Sequence, residues 1–240
     1  MENKSMDFEK VMKELESLGT ERTKKSYTSR GAKEPVLGVA TGAMKPLSKI
    51  IGINQPLAEE LYATGCFDAM YFAGIIADPN KMSEKDYDRW MDDAYFHMIS
   101  DYIVAVTLSE SDLAQKISDK WIRSGEDLKM SAGYSCYCWL LGNRKDNEFD
   151  KEKLLLMIQL VKENIHEAPF NTKNAMSNFL YTVAISYVPL HKEAVTIAEE
   201  LGEIEVRIED KKKKVLIPLE IIQKELGRGK LGFKRKYVRC

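Results

Sequence analysis

Helical periodicity is the property that most limits what this chain can fold into. Between 150 and 165 the apolar residues Leu154, Met157, Ile158, Val161 and Ile165 fall at i, i+3, i+4, i+7 and i+11, on one face of an α-helix. Met176, Phe179, Leu180, Val183 and Tyr187 repeat that spacing, as do Leu190, Ala194, Ile197, Ala198 and Leu201. Ser5, Asn54, Ser83, Asp150 and Asn171 precede such runs, each with a side-chain oxygen able to accept from the free N–H groups of a first turn. Gly19, Gly52, Gly65 and Gly202 follow them, where a left-handed C-cap is wanted. The pattern predicts about twelve helices, near 5–18, 20–30, 41–51, 55–64, 66–77, 83–93, 95–108, 110–123, 125–141, 148–166, 171–187 and 190–201.

Short connections and helix pairs recurring at roughly 40 residues predict an all-α architecture, a HEAT-like α-solenoid of helical hairpins, with a compact all-α domain as the competitor. Scarce Gly (14) and Pro (7) argue against collagen-like, low-complexity and turn-rich all-β chains. After Gly202 the pattern changes. Glu203 to Ile208 and Val215 to Ile217 are short alternating or apolar pieces around a turn at 209–214, consistent with a small β-hairpin. Pro218 opens a short helix near 219–226, and the rest is a basic, glycine-punctuated, extended tail. Residues 1–202 are expected to form the helical-repeat domain and 203–240 a basic C-terminal extension.

The net charge of −1 conceals an asymmetry: residues 211–240 carry +9 and the preceding 210 residues carry −10. An acidic body with a basic tail points to an anionic partner. Lys211, Lys212, Lys213, Lys214, Lys230, Lys234, Arg235, Lys236 and Arg239, with Phe233 and Tyr237 interleaved, can grip phosphates and stack on bases. Equally, such a tail can stay solvated or dock on the acidic body. Arg22, Lys24, Lys25, Arg30 and Lys33 read as the solvated face of a helix.

Cys66, Cys136, Cys138 and Cys240 form no C-x-x-C pair and read as reduced thiols in a reducing cytosol. No signal-peptide h-region is visible, and apolar stretches such as Ala69 to Ala77 reach only about half of the roughly 20 residues a membrane span needs. A cytoplasmic protein with no membrane partner is therefore expected.

His97, His166 and His191 are far apart, which predicts no metal site. Phosphate-binding loops, dinucleotide-binding turns and nucleophile elbows are absent from the sequence, so no cofactor is expected. One segment is different. Between Ala94 and Leu108 the acid–base groups other than tyrosines are His97 and Asp101, at i and i+4 on an otherwise apolar helix. A carboxylate in such a helix is costly unless paired or placed in a cleft. Two readings follow: Asp101 caps a helix starting near Tyr102 or pairs structurally with His97, or it does chemistry. Tyr134, Tyr137 and Trp139 read as core, with Cys136 and Cys138 packed among them.

Several segments, taken in order, resemble the AlkD-like DNA alkylation repair proteins. They are KEPVLGVATGAMKPLSKIIG (33–52), ISDYIVAV, DKWIRSGEDLKMSAGY, EAPFNTKNAMSNFL and the ending GEIEV…GRGKLGFKRKYVRC. The resemblance implies a HEAT-like solenoid that embraces duplex, alkylated DNA as a monomer, associated with the nucleoid when bound. It further implies hydrolysis of the N-glycosidic bond of N3- or N7-alkylated purines without flipping the base, with Asp101 in the place of the catalytic aspartate. The positions implied to face the lesion or the backbone beside it hold His97, Asn178 and Lys129 here, where active members carry two tryptophans and an arginine. Lysine cannot form the bidentate fork of arginine with phosphate. Non-catalytic binding of damaged or structured DNA, and a protein-interaction scaffold, are the alternatives.

Overall fold

A computed structural model of the chain describes residues 6–208 and 211–239, without the side chains of 207, 208 and 211–213. The described chain forms two compact units: one runs to Ser111 and includes Arg239, and the other is Asp112–Val238.

The first unit is built from α1 (Phe8–Leu18), α2 (Glu21–Thr28), α3 (Lys45–Ile51), α4 (Gln55–Tyr62), α5 (Phe67–Ile76), α6 (Glu84–Asp92) and a helical segment from His97 to Ser109. Three cap signals act locally. Asn54 and Ser83 accept from first-turn N–H groups as expected, Ser83 within a capping box, while Asp7 caps α1. Ser5, the cap expected for α1, lies outside the described residues. Gly52 ends α3 at φ +67°, as predicted. Gly19 corrects the prediction: its φ is −68°, extended, because it forms a β-bridge with Val39. Gly65 does have positive φ, but the C-cap of α4 is Ala63.

Helix α5 (FDAMYFAGII) is buried on nearly every side and packs against α4. The segment predicted as one helix over 95–108 is three pieces in the structure: α7 (His97–Ile99), a π-helical turn (Ser100–Val104) and α8 (Ala105–Ser109). Gly74 lets that turn approach α5, since a Cβ there would lie 2.8 Å from Ile103 Cγ2. The unbroken i, i+4 relation expected of His97 and Asp101 is therefore interrupted. Asp101 does not cap a helix beginning at Tyr102 either, because helical backbone runs through it.

Arg239 completes this unit. It donates through Nε to Glu110 (2.6 Å) and through its guanidinium to the carbonyls of Gly74 and Ala77 (2.9 Å each) at the end of α5.

The second unit holds α9 (Ala114–Ile122), α10 (Asp127–Leu141), α11 (Lys151–Asn164), α12 (Phe170–Ser186), α13 (His191–Leu201), the strands β1 (Ile204–Ile208) and β2 (Lys211–Leu216), and α14 (Pro218–Gly227). Helix α12 is central, packing against α10, α13, α14 and β1. Asp150 caps α11 and Gly202 ends α13 at φ +58°, as expected. Asn171 does not cap α12: the helix begins at Phe170 after Pro169, and Asn171 N–H donates to Asp127 Oδ2 (3.3 Å). A long-range carboxylate has taken over the role that sequence gave to a local side chain.

The expected hairpin is present, with Ile204 opposite Leu216, Val206 opposite Lys214 and a bulge between Val206 and Ile208. Ile204 and Val206 are buried, which fixes its register against α12. Tyr134 and Tyr137 are core as predicted, whereas Trp139 and Cys138 are only half-buried; Cys136 is buried between the helices with its thiol pushed up to about 12 by desolvation, hence inert. Cys66 is likewise a buried free thiol, whereas Cys240 lies outside the described residues. No helix among the described residues is long and apolar enough to cross a membrane.

Candidate nucleic-acid interface

In the first unit the site begins with a carboxylate that sequence reasoning passed over. Asp68, in the first turn of α5, is fully buried and accepts the N–H groups of Leu37 (2.6 Å), Gly38 (3.1 Å) and Val39 (2.7 Å). Its signal was an acid standing alone in an apolar run. Gly38 is needed at the apex, at φ +81° with a Cβ that would lie 2.5 Å from the carbonyl of Thr20.

This clasp fixes the preceding loop. The Lys33 N–H donates to Tyr95 Oη (3.3 Å), and Lys33 Nζ lies 5.3 Å from the Tyr95 ring centroid. Gly31 packs on the ring of Phe96, which meets the His97 imidazole edge-on with centroids 5.8 Å apart. Arg30 and Lys33, read from sequence as a solvated helix face, are thus brought beside the segment that bears His97. Burial, followed by the positive charge of Arg30, lowers the His97 pKa, so the imidazole is neutral at pH 7. The two functional candidates of this segment are half-buried. Asp101 accepts from the Ser100 hydroxyl at 2.8 Å, and next to it Tyr102 is 49% exposed.

The shift at His97 makes a prediction with a definite sign. An imidazole whose folded pKa lies below its unfolded value contributes stability above the ordinary histidine pKa, and that stability is lost as pH falls. The urea midpoint is expected to drop between pH 7.5 and 5.5, and the drop should be smaller in His97→Gln. An equal drop in both proteins would show that His97 is not linked to folding.

The second unit carries the other two site candidates. Lys129, in the first turn of α10, pairs with Glu126 at 3.0 Å with only 21% of its side chain exposed, so its charge is partly neutralised within the fold. Asn178 is exposed on α12. Asp127 holds the start of α12 to α10, accepting from Thr172 N–H and Oγ1, both at 2.8 Å, and from the Asn171 side chain at 2.8 Å.

The basic tail docks on the second unit. Lys234 forms an ion pair with Asp146 (2.8 Å) and donates to the carbonyl of Leu141 (2.7 Å). Arg228 and Lys230 both pair with Glu225. Arg235 instead lies 5.0 Å over the Trp139 ring, and Lys236 lies 5.2 Å over Tyr237. Lys214 is exposed on β2, while the side chains of Lys211, Lys212 and Lys213 lie outside the described residues.

The sequence profile of a family described as DNA alkylation repair enzyme matches residues 11–207. The chain belongs to that family. Among its relatives, an uncharacterized protein of Listeria innocua is 25% identical over 227 residues, spanning 92% of this chain and 98% of that protein. One from Listeria monocytogenes is 24% identical over 229 residues, spanning 93% and 99%. A solved structure with 68% identity superposes with a TM-score of 0.96, covering 98% of this chain and 100% of the other. It is described as representing a new family of proteins related to the HEAT-like repeat DNA glycosylases with affinity for branched DNA structures. This member of the family therefore has the HEAT-like helical-repeat fold, as its periodicity predicted, with an antiparallel hairpin near the C-terminus.

Proposed function

We propose that this member of the DNA alkylation repair family is a DNA-binding protein, acting as a monomer, that recognises branched DNA. The observation that carries the reading is the 68% identity, over essentially the whole of both chains, to a protein with affinity for branched DNA structures. Its own chemistry supports it. Arg235, Lys236 and Lys214 present cations at the surface of the second unit, and Arg30 and Lys33 are exposed in the first, Lys33 against the half-buried Tyr95 ring. Anisotropy titrations should show a three-way junction bound more tightly than a linear duplex of equal length. Binding should weaken at least about tenfold between 50 and 200 mM salt, as a few phosphate contacts require. Equal affinity for junction and duplex, or no salt dependence, would overturn the proposal.

Excision of alkylated purines is the second reading, favoured by one observation. The half-buried Asp101 sits in a π-helical turn, a distortion that recurs at functional sites. An alkylated purine is already a cationic leaving group, so a carboxylate need only stabilise the oxocarbenium-like sugar and position water, with no base flipped into a pocket. His97, Asn178 and the Glu126-paired Lys129 are poorer substitutes for two aromatic walls and an arginine. Excision predicts release of N3- or N7-methylpurine from methylated DNA that Asp101→Asn abolishes. Absence of release by the wild type removes this reading and leaves the first intact.

A further inference from the structure

The segment 231–237 is an extended tail in the sequence but a fixed strap in the structure. Five interactions hold its backbone and one inward side chain. Gly232 N–H donates to the Ile185 carbonyl (2.7 Å), Arg235 N–H to the Gly142 carbonyl (2.7 Å), Asn143 Nδ2 to the Arg235 carbonyl (2.9 Å), and Lys234 reaches Leu141 and Asp146. Gly232 has φ +74° and lies against Val188, so the strap can turn there and still lie close to the helices. Exposure alternates along it: Leu231, Phe233 and Arg235 are exposed while Gly232 and Lys234 are half-buried.

Two aromatic rings are left on the outside of this rigid strap. Phe233 is 55% exposed and Tyr237 is 68% exposed. Folding gains little from rings so placed, although the strap that carries them is tied down on both sides. The charges follow the same division. Arg228, Lys230 and Lys234 are neutralised by carboxylates of their own unit, whereas Arg235 and Lys236 meet only rings among the described residues. Cations laid on or beside exposed aromatic faces are complementary to a polyanion with flat, unstacked bases.

We infer that the strap is a stacking platform for unpaired bases: Phe233 and Tyr237 each take the face of a base, and Arg235 and Lys236 hold the phosphates between them. The inference rests on the branched-DNA reading and deepens it, because a branch point is where bases leave the duplex stack. It assigns recognition of the branch to the strap and leaves general phosphate attraction to the other cations.

The test compares wild type, Phe233→Ala/Tyr237→Ala and Tyr237→Phe on three probes: a three-way junction with two unpaired thymines at the branch, an oligothymidylate and a linear duplex. Both rings are exposed, so the double variant is expected to melt with the wild type. It should bind the junction roughly 30-fold more weakly, the low end for two stacked bases, with duplex binding unchanged. Tyr237→Phe keeps the ring and should bind as the wild type does. Equal weakening on junction and oligothymidylate, or weakening on the junction alone, supports the platform. Junction binding by the wild type that the double variant retains overturns it while sparing the branched-DNA reading. A wild type that does not prefer the junction overturns both, and a loss shared equally by duplex and junction shows a general effect that overturns the platform.

Discussion

Asp68→Ala is expected to lower the unfolding free energy of the first unit by about 3–5 kcal/mol, a large share of the roughly 5–15 kcal/mol that holds a domain folded. The carboxylate accepts three backbone N–H groups, and two of the donors, on Gly38 and Val39, belong to buried residues that water cannot reach. Removing the acceptor leaves those donors without partners, which is costlier than losing the bonds alone. Asp68→Asn keeps one oxygen but turns an N–H₂ toward the same amides, so it should recover less than half of the loss. Urea unfolding at pH 7 measures both. A change under about 1 kcal/mol in the alanine variant would show that the loop finds other acceptors. Hydrogen exchange separates the global from the local effect, since the amides of Leu37 to Val39 should exchange faster in either variant even under conditions where the helices remain protected. The consequence reaches the interface, because the same loop seats Lys33 against Tyr95 and Gly31 against Phe96, next to His97.

What sequence reveals and what it hides divide along the range of the interactions. Caps at Asn54, Ser83 and Asp150 were legible because donor and acceptor lie within one turn. Asn171 misled because the decisive acceptor, Asp127, is 44 residues away in the chain. The π-helical turn at Ser100–Val104 left no trace in a stretch that is apolar on all sides, where inserting a residue disturbs no polar phase. Charge arithmetic found the basic tail but not its division of labour. Glu225, Asp146 and Glu110 neutralise Arg228, Lys230, Lys234 and Arg239, leaving far fewer cations for a partner than the composition implies. Asp101 and His97 stand out by their isolation among apolar residues, whereas Arg30 and Lys33, exposed as their charge predicts, give no local sign that the fold sets Lys33 on Tyr95 and the charge of Arg30 near His97.

Arg239→Ala should destabilise the first unit by about 2–3 kcal/mol, near what a few charge-assisted hydrogen bonds contribute in a partly covered site. Its side chain is only 13% exposed, and its guanidinium joins Glu110 at 2.6 Å to the carbonyls of Gly74 and Ala77, which the end of α5 leaves without intrahelical partners. Planarity matters, because one fork serves a carboxylate and several carbonyls at once. Arg239→Lys supplies a point charge without that fork and should recover only a small part of the loss. Glu110→Gln alone should cost less than Arg239→Ala, and the pair combined should cost less than the sum, since each single change already breaks the shared contact. Thermal or urea unfolding of the wild type and the four variants decides it, and an Arg239→Ala variant within about 0.5 kcal/mol of wild type would refute the anchor. The loss should also be felt at Asp101. The carbonyl of Gly74 accepts from both Arg239 and Thr107 Oγ1 (3.4 Å), and a Cβ on that glycine would run into Ile103 of the π-helical turn. Freeing the end of α5 therefore loosens the face on which the turn rests, so exchange at Ser100–Val104 should quicken more in Arg239→Ala than exchange in α4.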